Sequence, residues 1–212
     1  MTENAIRPFK AAPIVHPVNC RPETSPLRAT FKTAERAFRY NNRLRGGDIL
    51  GNHPETWLEK DDLVAFGRCA PSGRLRKDER IACPAIWRAA DEKARDLQDG
   101  AATAYSIVAS LPPGCPPSEM QRIIELWARE AVTTSGMIAD WSIHDPVRDD
   151  DRSPMPHAHI LVTLRGWRRG KQNTGWRNPN WLASEDAVRG LEDLWLSLTG
   201  FRDVPSYRKG AK

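Results

Sequence analysis

The chain has 212 residues, 40% of them hydrophobic and 28% charged, which is length enough to bury a core as a single domain. No apolar run approaches the ~18 residues a bilayer-spanning helix needs, the N-terminus has no charged-then-apolar secretion pattern, and the scattered Cys20, Cys69, Cys83 and Cys115 suit reduced thiols in a cytoplasm better than a disulfide scaffold. A net charge of +5 and a pI near 9.2 fit a polyanionic partner without requiring one.

Residues 1–26 hold five prolines (Pro8, Pro13, Pro17, Pro22 and Pro26) and are expected to form an extended lead-in, with room for a short edge strand. A single domain is expected over 27–200, followed by a basic tail at 201–212. Ser25-Pro26 looks like the start of a first helix, with Leu27, Phe31, Ala34 and Phe38 as its apolar stripe and Gly46-Gly47 as its end. Residues 48–84 are expected to be irregular with one or two short strands, the better candidate being Leu63-Val64-Ala65-Phe66. A second helix should run from Pro84 to about Asp99, and a buried strand from Ala104 to Leu111. Ser118-Glu119-Met120-Gln121 is the pattern of a capping box opening a third helix, with Gly136 as its C′ residue. A last helix is expected over Ser184–Thr199. Helices interleaved with strands near 104, 137 and 158 predict an α+β fold, a largely antiparallel sheet layered by helices.

The chemistry concentrates at Met155-Pro156-His157-Ala158-His159-Ile160-Leu161-Val162-Thr163-Leu164-Arg165. Side chains alternate along a strand, so His157 and His159 share a face. His144 closes an earlier strand-like run. If the two runs pair as antiparallel neighbours, three imidazoles meet and can hold a divalent metal. A His-x-His pair is more often plain sheet decoration. Asp140 shares the parity of His144, so it is either an outer-sphere carboxylate that orients a ligand histidine or an edge carboxylate facing water. After the histidine strand, Arg165, Arg168, Arg169 and Lys171 are interleaved with Trp167, Trp176 and Trp181, a composition suited to phosphates and unpaired bases. A basic surface loop with its tryptophans packed beneath it would look the same.

Ile143-His144-Asp145, Pro156-His157-Ala158-His159-Ile160 and Thr163-x-Arg165 together resemble the histidine motif of MobA/MobL plasmid mobilisation relaxases, members of the HUH endonucleases. Ala37-Phe38-Arg39-Tyr40-Asn41-Asn42-Arg43-Leu44 resembles their N-terminal Ala-Tyr-Arg-x-Gly-x-x-Leu element, Trp87 and Asp91 their Trp-Asn-x-x-Glu helix, and Leu111-Pro112 the Leu-Pro that ends their next strand. The resemblance covers roughly residues 28–200. It implies a relaxase that nicks and rejoins single-stranded DNA at a transfer origin through a 5′-phosphotyrosine, with accessory mobilisation proteins as further partners. The metal it implies is Mg²⁺ or Mn²⁺, although three histidines would equally suit Zn²⁺.

One departure bears on catalysis. Aligned through Arg39 and Leu44, the family's nucleophilic tyrosine falls on Phe38, which has no oxygen to attack phosphorus. Tyr40 lies about 200° further round an ideal helix and can replace it only if the helix is broken or re-registered there. Tyr105, Tyr207 or no nucleophile at all are the alternatives, and the last would make the chain a DNA- and metal-binding relative without catalysis.

Overall fold

A computed structural model describes residues 9–15, 33–46, 55–71, 81–97, 102–146, 155–167, 178, 181 and 184–201. β-Branched and apolar runs give five strands: β1 (Phe9–Val15), β2 (Leu63–Cys69), β3 (Ala102–Ser110), β4 (Ala139–His144) and β5 (His157–Thr163). They form one sheet in the order β1-β3-β5-β4-β2, with every neighbouring pair antiparallel. The helices are α1 (Ala34–Asn41), α2 (Ala85–Leu97), α3 (Pro117–Ala131) and α4 (Glu185–Thr199). This is the expected antiparallel α+β architecture. None of these helices is long and apolar enough to cross a membrane.

Strand alternation sorts the helices into two layers. Ile107, Ala109, Trp141, Ile143, Ala158, Ile160 and Val162 point to one face and form the main core with Ile124 and Trp127 of α3 and Trp195 of α4. The rings of Trp127 and Trp195 meet edge to face at 6.0 Å, and Trp195 Nε1 donates to Ser110 O at 2.9 Å, so each aromatic buries its body without stranding its polar handle. The opposite face carries Ile14, Ala104 and Leu161, which pack with Phe38 of α1 and Trp87 of α2. The histidines belong to this second face. Its helical cover is therefore what shapes the site.

Proline is tolerated in β1 because that strand lies at the sheet edge, where Pro13 stands opposite Tyr105. On the other edge, Gly67 is required by close approach: a Cβ there would come within 2.5 Å of the Trp141 ring.

Four expected boundaries shift, the first being that α1 ends at Asn41 and not at Gly46-Gly47. α1 starts at Ala34, because Thr33 is its N-cap: its backbone is extended and its side chain accepts from Arg36 N at 3.0 Å. The expected Ser25-Pro26 start lies outside the described residues. α3 has Pro116 as N-cap and Pro117 at its first position, so Ser118 lies inside the first turn and the capping box does not form. Gly136, at φ 77°, ends a short 3₁₀ turn after α3 (Thr133–Ser135) and not α3 itself. The last helix, by contrast, matches its expected span, with Ser184 as N-cap, Glu185–Thr199 helical and Gly200 closing it.

Candidate active site

Strand register brings the histidines together. His144 of β4 lies opposite His157 of β5, and Ser142 opposite His159. The ring centroids of His144 and His159 are 4.6 Å apart, those of His157 and His159 5.0 Å, and those of His144 and His157 5.6 Å. Ligand atoms of all three lie within 4.8 Å of one another, so this group could hold a metal ion. His144 is fully buried, while the other two are partly open. Burial lowers the pKa of His144 to about 4, and the neighbouring Arg43 cation pushes the same way. The ring is therefore neutral at physiological pH.

The C-terminus of α1 docks directly onto this cluster. Asn41 O lies 2.7 Å from His144 Nε2, and Ser142 Oγ donates to Asn42 Oδ1 at 3.3 Å. The helix closes in a Schellman pattern: Leu44 N donates to Arg39 O at 2.8 Å, and Arg43 N to Tyr40 O at 3.2 Å. The C′ position of that motif favours glycine, yet Arg43 occupies it at φ 55°, the only non-glycine at positive φ among the described residues. Its side chain is correspondingly tied down. It bonds both oxygens of Asp62 at 2.8 and 2.6 Å, approaches His144 Nδ1 at 3.0 Å and covers the Tyr40 ring at 5.0 Å. Burial alone would raise the pKa of Asp62, but the hydrogen bonds from Arg43 and the positive groups around it hold it below the usual carboxylate range.

Tyr40 is part of the same cluster. Its ring stands edge-on to His159, with centroids 5.8 Å apart, and edge-on to Trp57 at 5.7 Å. Trp57 donates to Leu44 O at 3.1 Å and packs beneath the Arg36 guanidinium at 5.1 Å, bracing the turn after α1. Phe38 points the other way and is 1% exposed in the core beside Trp87. Tyr105 lies on the sheet face away from the histidines, against Trp181 at 5.6 Å. Tyr207 lies outside the described residues.

The expectation that Asp140 orients a ligand histidine is corrected. Asp140 is buried on the histidine face but makes its bonds away from the rings: two to Arg68 (2.5 and 2.6 Å) and one from Trp87 Nε1 (2.6 Å). The carboxylate near His144 is Asp62, 3.7 Å from its Nδ1. Trp167 is corrected too: at 2% exposure it packs with Ile86 and Ile138 and offers no face to a base. Trp181 is likewise buried, its Nε1 donating to Ala131 O at 2.7 Å. Arg165 is half-buried, and Thr163 Oγ1 donates to its carbonyl at 3.0 Å. Arg168, Arg169, Lys171 and Trp176 lie outside the described residues. Sequence reasoning missed Phe66, which is 53% exposed on the edge strand β2 and opposite Ser142, so that it shares the histidine face.

Asp91, four residues after Trp87, has a structural use. Asp91 of α2 accepts from Ala34 N at 2.8 Å and Glu35 N at 2.9 Å, capping α1 from across the layer. It thereby fixes the helix that carries Tyr40.

The model of the MobA/MobL family matches residues 54–187. A solved structure concerned with the molecular basis of vancomycin resistance transfer in Staphylococcus aureus shares the fold, with a TM-score of 0.61, 18% identity and alignment over 90% of this chain and 89% of that one. No curated protein matches the chain.

Proposed function

The chain belongs to the MobA/MobL family, and on that premise we propose that it is a plasmid relaxase in which Tyr40 is the nucleophile and His144, His157 and His159 hold the metal. The observation that carries this reading is the meeting of the Tyr40 ring with the histidine cluster, although the family's tyrosine position is the buried Phe38.

The donor set fits a divalent ion: three imidazoles whose ligand atoms lie within 4.8 Å of one another, one of them kept neutral by burial. Mg²⁺ or Mn²⁺ is the expected ion, and Zn²⁺ suits the same ligands. When bound, the ion neutralises and orients the scissile phosphate as a Lewis acid. The protein's own residues supply the rest. Trp57 and Arg43 hold the Tyr40 ring from two sides. The phenol oxygen attacks phosphorus as the bond to the 3′-oxygen breaks, leaving a 5′-phosphotyrosine and a free 3′-hydroxyl. The proton lost by the phenol balances the one taken up by the departing oxygen. Because the phosphoester is conserved on the enzyme, the strand can be rejoined.

The substrate in this reading is single-stranded DNA at a transfer origin, on which the chain acts in the cytoplasm together with accessory mobilisation proteins. Phe66 offers an exposed aromatic face to a base on the histidine side, and Arg165 with the basic run Arg168, Arg169 and Lys171 provides charge for the backbone. Incubation with supercoiled plasmid from the same genetic element and Mn²⁺ tests the reading. Open circles with protein attached are expected, and plasmid left supercoiled with every metal contradicts it. The second reading, a DNA- and metal-binding relative without catalysis, is favoured only by the phenylalanine at position 38.

A further inference from the structure

His144 is held by two partners whose chemistry leaves no choice of tautomer. Arginine has donors and no acceptor, so the contact from Arg43 Nη2 at 3.0 Å requires a lone pair on His144 Nδ1. The carbonyl oxygen of Asn41 only accepts, so its 2.7 Å contact requires the hydrogen on Nε2. Both nitrogens are spent, and the ring has no lone pair to offer an ion. Two routes would free one. If Nδ1 is the ligand atom, Arg43 must leave it. If Nε2 is the ligand atom, the Asn41 carbonyl must move off it, and a neutral ring carries its hydrogen on Nδ1, where it would face an Arg43 donor, so Arg43 must leave as well. Asp62, 3.7 Å from Nδ1 and already bonded twice to Arg43, can accept that hydrogen once the guanidinium withdraws.

We infer that Arg43 is an internal lock on the histidine cluster, a guanidinium that competes with the divalent ion for His144 and must withdraw before that ring can ligate. The inference rests on the reading of His144 as a metal ligand and deepens it. The lock is mounted in an unusual way. Arg43 is carried at φ 55°, where glycine would be at ease, so its place at the end of α1 is maintained against local backbone preference by Asp62, His144 and the Tyr40 ring. Withdrawal leaves a guanidinium fork beside Tyr40, a group well matched to a phosphate oxygen. Ion and phosphate thus draw on opposite sides of one switch, and by linkage each favours the other's binding.

The test isolates the guanidinium. Calorimetry with Mn²⁺ compares Asp62→Asn with the double variant Arg43→Gly, Asp62→Asn, so that the carboxylate beside His144 is absent from both. Glycine suits the backbone at position 43, and thermal melts check that both variants fold. The double variant is expected to bind Mn²⁺ at least tenfold more tightly than the single one. Equal or weaker binding overturns the inference. In the metal-free wild type, two-bond ¹H–¹⁵N spectra should show His144 as the Nε2–H tautomer, and an Nδ1–H ring would also overturn it. If a His157→Ala, His159→Ala variant binds Mn²⁺ as well as the wild type, the metal reading itself has failed, which is a different result from an Arg43 without effect.

Discussion

The ring of Tyr40 stands edge-on to that of His159, with centroids 5.8 Å apart and planes at 85°, although one closes a helix and the other sits mid-strand. Two features of α1 bring this about. The helix stops at Asn41, so that its final carbonyl and Asn42 anchor on β4 beside His144. Phe38, two positions before Tyr40 and about 200° round the helix from it, is then turned into the core. The face that an ideal, isolated helix would leave in water is the one laid against the histidines.

Removing two of the three imidazoles should abolish tight metal binding. His157→Ala, His159→Ala is expected to lose at least a hundredfold in Mn²⁺ affinity by calorimetry. Asp140→Asn should leave that affinity within twofold of wild type, since its bonds go to Arg68 and Trp87. Its cost appears in stability instead, about 3–5 kcal/mol for a buried guanidinium that has lost its partner. A large loss of metal affinity in Asp140→Asn would return Asp140 to the histidines.

How much of this was legible follows from the range of each interaction. The histidine pairing could be read because strand parity is local and the return of His144 needs only one antiparallel neighbour. Asp62 could not, because its place beside His144 depends on β2 pairing with β4 across the intervening helices and strand. Asp140 was misassigned for the same reason: parity put it on the right face, but Arg68 arrives from β2, and only that pairing shows whom it serves. Trp167 and Trp181 match the composition of a base-stacking surface, and composition does not say which side of the backbone they pack on.

Two DNA variants should separate stacking from charge. Phe66→Ala is expected to weaken binding of a single-stranded oligonucleotide about tenfold, within the ~1–3 kcal/mol a stacked base contributes, while leaving the salt slope unchanged. Replacing Arg168, Arg169 and Lys171 by alanine should make the log–log salt slope shallower by about 2 if each cation neutralises one phosphate. Fluorescence anisotropy across a salt series reads both. An unaltered slope in the triple variant would place the phosphate track elsewhere.

Asp91 gives a pH signature. Burial raises its pKa to about 6 against the pull of the two backbone N–H groups it caps. Between its unfolded value near 4 and its folded value the native state binds the extra proton, so this group's contribution to stability is full below about pH 4 and is lost as pH rises through 6. His144, with its lowered pKa, acts in the opposite sense over much of the same range. The test is therefore a difference between proteins. Thermal melts of wild type and Asp91→Asn should show the wild type losing ground to the variant from pH 4 to pH 7, and parallel curves would contradict the assignment.

The central claim is that Tyr40 carries the DNA strand, and trapping the covalent adduct tests it most directly. A single-stranded oligonucleotide bearing the cognate nick site is incubated with the protein and Mn²⁺, and the modified peptide is mapped by mass spectrometry. The adduct is expected on Tyr40, to disappear in Tyr40→Phe and to be unaffected by Tyr105→Phe. A Tyr40→Phe protein that still forms it, or a wild type that forms none with any metal while Phe38→Tyr gains one, would contradict the account.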